Sequence, residues 1–377
     1  MDVEKIKMMA KTFEGLEDVL GRELMRMGAD DVETDVCTVT FTGDKELLYK
    51  ANYELRTALK IYKEILNFDF ENTEDFYSHL REYRWSKILN IYKSFKVETN
   101  VNSEEFAPLE DINAKISKLI CDYFNEKSKK VPPKNNENPA VVIVVNINAK
   151  NCQVCLDSSG ESLSKRGYRV STANGALNEV FAAGLVQLSG WKANTNLIDP
   201  MCGSGTILIE AAMYAYNIPA QVCRETFGFF TWRDFDANIW QHIKNDAKVR
   251  IKHNGEFAHK IIGCDVSENA FKAAQQNIKK AILDKYIKIS NEPIDSLVVP
   301  ENPNTLIFNP PAADIYRQQE TDNFLKYLGT ILKKDFKGSK IWINSNYSKM
   351  AQSLGMTIKK EHSVFLTNQE YKLSLFE

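Results

Sequence analysis

The chain has 377 residues, with 48 Lys and Arg against 50 Asp and Glu, for a net charge of −2. That length exceeds one ordinary hydrophobic core and asks for two or three domains, and the near-neutral balance excludes a nucleic-acid binder driven by bulk charge, so local clusters of cations must carry any such role. No apolar run approaches the ~20 residues of a membrane span, and Met1-Asp2-Val3-Glu4-Lys5 lacks the charged-then-apolar pattern of a secretion signal, which makes a globular cytoplasmic protein the expectation.

Residues 1–66 read as a small α+β unit: a strand at Lys5–Lys11, a helix from Gly15 to Met27 closed by Gly28, a strand at Val36–Phe41, a helix at Lys45–Ala51 and a strand-like run at Leu59–Phe70. A second unit, residues 67–158, carries helices around Glu74–Leu80 and Asp111–Lys127, then a turn-forming stretch with Pro132-Pro133 and Asn135-Asn136. Val141–Ile147 and Cys152–Leu156 pair as a hairpin. Lys115, Lys118, Lys127, Lys129, Lys130 and Lys134 gather at the helix end and loop, either as a solvated face or as a strip for RNA phosphates.

The seven cysteines are odd in number and scattered, which fits reduced thiols. Cys152 and Cys155 have metal-like spacing, but an odd offset along a strand sends them to opposite faces, and no metal is expected.

Residues 159–191 join this half to the rest through Lys165-Arg166-Gly167-Tyr168-Arg169 and a helix from Leu177 to Leu188. The cations Lys165, Arg166 and Arg169 suit RNA contact and equally suit a brace between domains. From Thr195 onward strand and helix alternate, as in a parallel sheet with helical crossovers. Strands are expected at Leu197–Pro200, Lys260–Val266, Ile287–Ser290, Thr305–Asn309, Lys340–Ser345, Thr357–Phe365 and Tyr371–Phe376. Helices are expected at Thr206–Tyr216, Asn238–Ile251, Glu268–Lys280 and Thr321–Leu332. Leu366–Glu370 leaves no room for a crossover, so the last two strands are antiparallel.

Two motifs carry chemistry in this half. Asp199-Pro200-Met201-Cys202-Gly203-Ser204-Gly205-Thr206 turns from a strand into a helix, and its glycines let the backbone approach a nucleotide-like cofactor. Asp265, closing the next strand, can accept both ribose hydroxyls or serve as a helix cap. Asn309-Pro310-Pro311 ends a later strand. There the Asn309 side-chain oxygen and the Pro310 carbonyl can accept both hydrogens of an amino group, turning the nitrogen lone pair out of conjugation towards an electrophilic methyl.

Nearly the whole chain resembles the bacterial THUMP-domain RNA methyltransferases, specifically those similar to the 23S rRNA guanine-N2 methyltransferase. The resemblance rests on Thr12-Phe13-Glu14-Gly15-Leu16-Glu17, Ala51-Asn52-Tyr53-Glu54-Leu55-Arg56-Thr57-Ala58 and the run from Ser159 to Arg169. Asn178-Glu179, Ser189-Gly190-Trp191 and Phe227-Gly228-Phe229-Phe230-Thr231-Trp232 add to it. It implies an α/β chain: a ferredoxin-like domain over 1–66, an RNA-gripping THUMP domain over 67–158, and over 159–377 a linker and a Rossmann-like class I methyltransferase domain. That domain has a seven-stranded, mostly parallel sheet with an antiparallel last strand.

By the same resemblance the cofactor is S-adenosylmethionine, its methionine part at the glycine turn, its ribose on Asp265 and its adenine near Glu292. The target amine lies on Asn309-Pro310, in structured RNA, with 23S rRNA ahead of tRNA. The second catalytic domain of the larger fused relatives is not expected here. The chain departs from the family at Ala312, where an aromatic residue on which the flipped base stacks is usual, at Ala313-Asp314-Ile315 in place of Gly-Glu-Arg, and at Ala176 in place of Pro. Tyr316, Trp232 and Tyr347 are candidates for the missing ring. Alternatives are an RNA- and cofactor-binding assembly protein that no longer catalyses, and amino methylation of DNA or a protein glutamine, which leaves residues 1–158 without purpose.

Overall fold

The structure is a computed structural model and describes residues 5–103, 106, 109–252, 257–311 and 318–377. Two seven-stranded sheets form its frame. The first contains β1 (Ile6–Lys11), β2 (Asp30–Asp35), β3 (Thr38–Gly43), β4 (Lys60–Asp69), β5 (Phe95–Asn102), β6 (Val141–Asn148) and β7 (Asn151–Asp157), in the order β2-β3-β1-β4-β7-β6-β5. Helices α1 (Glu17–Met27), α2 (Lys45–Glu54), α3 (Thr73–Glu82) and α4 (Leu109–Ser128) connect them.

The ten residues of β4 pair with β1 through Met8↔Lys63 to Lys11↔Lys60 and with β7 from Tyr62↔Asp157 to Asp69↔Asn151. The edge expected between residues 66 and 67 therefore falls inside a strand, and both halves share one continuous sheet. Two of its strands were not expected. β2 has four charged residues of six and is exposed except at Val32, with none of the apolar alternation that marks a half-buried strand. β5 is an edge strand that buries only Phe95 and Val97. The strand expected at Val36–Phe41 begins at Thr38, because Cys37 takes a φ of 56° to turn the chain out of β2.

The second half runs α5 (Glu179–Leu188), β8 (Asn196–Asp199), α6 (Thr206–Ala215), α7 (Ala237–Val249), β9 (Ile261–Cys264), α8 (Glu268–Lys280), β10 (Ile287–Ser290), β11 (Asn304–Phe308), α9 (Gln318–Asp335), β12 (Lys340–Ser345), α10 (Met350–Leu354), β13 (Ile358–Leu366) and β14 (Gln369–Phe376). Its sheet order is β10-β9-β8-β11-β12-β14-β13, with β14 antiparallel to both neighbours and β8 to β12 parallel, as expected. Short β8 and β11 are buried at every position, as strands covered by helices on both faces must be.

The halves are locked by the motifs that carried the resemblance. Leu16 packs so closely on α5 that a side chain at Gly184 would meet it at 2.6 Å, and Phe365 donates its backbone N–H to the Glu14 carbonyl at 2.9 Å. Asn52 donates to the Leu48 carbonyl and Ser158 Oγ at 2.9 Å each and accepts from Ser159 Oγ at 2.7 Å. Phe229, from the segment between α6 and α7, stacks on Tyr49 with ring centroids 4.3 Å apart and joins the core of the first sheet with Trp232, Ile243 and Ala247. Among the described residues no helix is long and apolar enough to cross a membrane.

Candidate active site

In the second sheet the chain order reverses direction around β8, whose neighbours are β9 on one side and β11 on the other. The carboxyl ends of strands beside such a switch form the crevice where doubly wound sheets bind ligands. Asp199 ends β8, Asp265 follows β9, Glu292 follows β10 and Asn309 follows β11. The sequence could name these residues; the register brings them to one edge.

The turn from β8 into α6 is fixed from several sides. Gly203 and Gly205 take φ values of 53° and 78°, in the left-handed region open to glycine. A Cβ on Gly203 would meet nothing within 4 Å, so this residue faces open space, whereas one on Gly205 would press on Ala274 Cβ at 3.2 Å, making Gly205 a helix-packing glycine. The Ser204 hydroxyl accepts the Ala173 N–H at 2.7 Å, and its carbonyl accepts from Asn277 Nδ2 at 3.0 Å. Thr206 Oγ1 accepts from Arg169 Nη2 at 3.0 Å, and Cys202 N–H donates to the Cys264 carbonyl at 3.0 Å. The side chains of Ser204 and Thr206 thus anchor the loop.

Asp265 is half-buried. Its Oδ2 accepts the Gly203 N–H and its Oδ1 the Ser267 N–H, both at 2.9 Å, while Ser267 caps α8 through Ala270. The helix-cap role is therefore filled by Ser267, and each Asp265 oxygen keeps a lone pair for a further donor. Asp199 is 1% exposed and accepts the Met201 N–H at 3.2 Å; burial, with the nearby Asp265 charge, pushes its carboxyl up to about 8. Glu292 Oε1 accepts from Ser290 Oγ at 2.5 Å.

Asn309 is half-buried, with the buried Pro310 and exposed Pro311 following it. Its Oδ1 accepts from Asn344 Nδ2 at 2.6 Å and its Nδ2 points at the Pro310 carbonyl 3.4 Å away. Asn344, at the end of β12, was not singled out from the sequence, since only the parallel register of β11 and β12 places it there.

Two of the six cations read as RNA contacts are corrected. Arg166 is 1% exposed, and its guanidinium donates to the Leu163 carbonyl at 2.8 Å, to the Arg56 carbonyl, and to Glu210 Oε1 at 3.3 Å. A side chain sealed from solvent in this way cannot reach a phosphate. Arg169 is half-buried and committed to Glu179 Oε1 at 2.5 Å, the Leu177 carbonyl at 2.8 Å and Thr206. The brace between domains holds for Arg166, whereas Arg169 ties the linker to α5 and α6 within the second half. Lys165 is exposed and pairs with Glu161 at 2.8 Å. Lys127 lies over the Tyr123 ring at 4.1 Å, and Lys129 and Lys130 are exposed.

Of the rings considered for stacking, Trp232 is buried in the first core, and Tyr347 donates to Asp322 Oδ1 at 2.9 Å and packs against the core cluster that includes Phe308 and Ile343. Ala312, Ala313, Asp314, Ile315 and Tyr316 lie outside the described residues.

Residues 166–372 match the family model described as the RMKL-like methyltransferase domain (UPF0020). The chain belongs to that family. Ahead of this methyltransferase domain, residues 7–62 match the RlmL ferredoxin-like domain and residues 70–157 the THUMP domain. A ribosomal RNA large subunit methyltransferase K/L of Marinomonas is 33% identical over 303 residues, which cover 79% of this chain and 42% of that protein. The chain thus spans under half the length of that relative. A candidate RNA methyltransferase of Synechocystis is 28% identical over 348 residues, covering 91% of this chain and 89% of its own. A crystal structure of a possible methylase from Clostridium difficile superposes with a TM-score of 0.89 at 25% identity, covering 99% and 98% of the two chains.

The methyltransferase cofactor is S-adenosylmethionine, and the residues present fit it. Gly203 leaves space at the turn, Asp265 offers two acceptors suited to a ribose diol, and a ligand that carries positive charge would draw the buried Asp199 carboxyl towards its ionised form.

Proposed function

We propose that the protein methylates the exocyclic N2 amine of a guanine in structured RNA, with 23S rRNA as the first candidate substrate. The observation that carries this reading is Asn309-Pro310-Pro311 at the end of β11, one strand from the glycine turn of β8, on a frame continuous with a THUMP domain. The large-subunit rRNA name of the Marinomonas relative supports the choice of RNA.

When bound, S-adenosylmethionine supplies a methyl group activated by its sulfonium. The chain's own residues position the acceptor. A ring amine is a poor nucleophile because its lone pair is delocalised. Carbonyl oxygens at Asn309 and Pro310 that accept its two hydrogens rotate that pair out of the ring plane, an orientation effect and not proton abstraction. Asn309 carries no charge to act as a base, and the proton released after transfer passes to solvent. A guanine inside a stack must be flipped to reach this strand end, which costs a few kcal/mol unless it already lies in a loop.

Ala312 favours a second reading, a protein that binds RNA and cofactor without turnover, because base stacking on an aromatic ring contributes about 1–3 kcal/mol. The test is transfer of labelled methyl to RNA from cells lacking the gene, followed by digestion to nucleosides. Label in N2-methylguanosine from the large-subunit rRNA is the expected result. Label in tRNA would move the substrate, label in another nucleoside would refute the assigned atom, and binding without transfer would favour the second reading.

A further inference from the structure

Asn344 lies one step beyond the Phe308↔Ile343 pair of the parallel strands β11 and β12, which sets it beside Asn309. It is fully buried. Its Nδ2 donates to Asn309 Oδ1 at 2.6 Å, and its own Oδ1, sealed from solvent, accepts nothing. Asn309 in turn points Nδ2 at the Pro310 carbonyl, 3.4 Å away.

This arrangement is the reverse of what an incoming amine needs. The Asn309 oxygen is engaged by Asn344, and a donor stands beside the Pro310 oxygen, where an amine would meet an N–H instead of an acceptor. The two ends of a carboxamide are nearly equal in size and its terminal torsion is broadly two-fold, so a half turn of both amides needs no additional room. After that turn the contact survives with its roles exchanged: Asn309 Nδ2 donates to Asn344 Oδ1. Asn309 Oδ1 then stands beside the Pro310 carbonyl, and the two oxygens face the amine together. Only a neighbour able both to donate and to accept can hold Asn309 in either state, and asparagine is such a residue.

We propose that Asn344 is a positioning residue for transfer to the amine: the paired amides of Asn309 and Asn344 turn together, and Asn344 as acceptor holds the Asn309 oxygen towards the substrate. This rests on the reading of Asn309 as the amine-binding residue. In the structure the pair sits in the reversed state, and the two hydrogens of the substrate amine draw it over.

Two variants test it in single-turnover methyl transfer, normalised to the folded fraction: Asn344→Leu, which removes both roles, and Asn344→Asp, which as a carboxylate only accepts. Asn344→Leu should slow transfer by about tenfold to a hundredfold, the scale of a reacting group misplaced by about 1 Å, with cofactor affinity unchanged. Asn344→Asp should stay at least as fast as the parent, and its rate relative to the parent should climb with pH as the new carboxylate ionises. A merely structural Asn344 gives the opposite order, since a buried charge disrupts more than leucine does. An Asp variant as slow as or slower than the Leu variant, or a Leu variant equal to the parent, overturns the proposal. Should the Leu variant fail to fold, an Asn344→Asp rate that shows no climb with pH relative to the parent overturns it alone. If Asn309→Ala transfers as well as the parent, the underlying reading falls; if Asn309→Ala is inactive while Asn344→Leu is not, only the present inference does.

Discussion

Asp199 and Asp265 stand one strand apart and do different work. Asp265 keeps an open lone pair on each oxygen, so Asp265→Ala removes acceptors that charge-assisted hydrogen bonds would use. At about 1.5–3 kcal/mol for such bonds, the cofactor dissociation constant should rise by roughly tenfold to a hundredfold in a calorimetric titration, and an unchanged constant would remove Asp265 from the ribose site. Asp199 is held protonated by burial, with its carboxyl pushed up to about 8, against about 3.9 for an unfolded aspartate. Between those values the folded chain keeps a proton that the unfolded chain has lost, so Asp199 favours folding less and less as pH rises from about 4 to about 8. Asp199→Asn should flatten that part of the stability profile relative to the parent in urea titrations at pH 5 and pH 8. A cation arriving beside Asp199 favours the ionised form. Cofactor binding near pH 7 should therefore release a proton, seen as a buffer-dependent enthalpy that the Asn variant lacks.

At the scale of elements, the linker before α5 is the piece whose role the sequence left open. Arg166 ties the Arg56 carbonyl of the first half to Glu210 on α6, and Arg169 ties Glu179 at the start of α5 to Thr206 at the start of α6. The linker is latched onto the glycine turn. Arg166→Ala leaves Glu210 buried without its ion-pair partner, with only the Tyr168 hydroxyl donating to it, and should lower the unfolding free energy by about 3–5 kcal/mol in urea, with RNA affinity of the folded fraction unchanged. A loss of RNA affinity at unchanged stability would return Arg166 to the RNA surface. Motif spacing made the positions of Asp199, Asp265 and Asn309 at or just past strand ends, and of Gly203 in the turn after β8, legible, because those strands have clear apolar character. Arg166 was not, since a cation in a loop reads the same whether it faces solvent or a buried carboxylate. Asn344 was not, because register between strands distant in sequence leaves no local pattern, and β2 was not, because this edge strand turns only Val32 and Thr34 towards α1 and has too few apolar residues to show alternation.

For the whole molecule, the core of the first sheet includes Phe227, Phe229, Trp232, Ile243 and Ala247 from the methyltransferase half, and the core around α5 includes Leu16 and Val19 from the first half. RNA platform and catalytic sheet are thereby one mechanical unit. Tyr49→Ala, which removes the stack on Phe229, should cost about 3–5 kcal/mol, and calorimetry should show both halves unfolding in one transition at a lower temperature. Two separated transitions would mean that the halves are independent.

The central claim is that Asn309 orients an RNA amine beside a cofactor held by other residues. Its most direct test compares Asn309→Ala with the parent in two readouts, the single-turnover rate of methyl transfer to RNA and the dissociation constant for S-adenosylmethionine. A rate lower by about a hundredfold or more with the cofactor constant unchanged is the predicted result. Transfer at the parent's rate, or a rate that falls only in step with lost cofactor affinity, would contradict it.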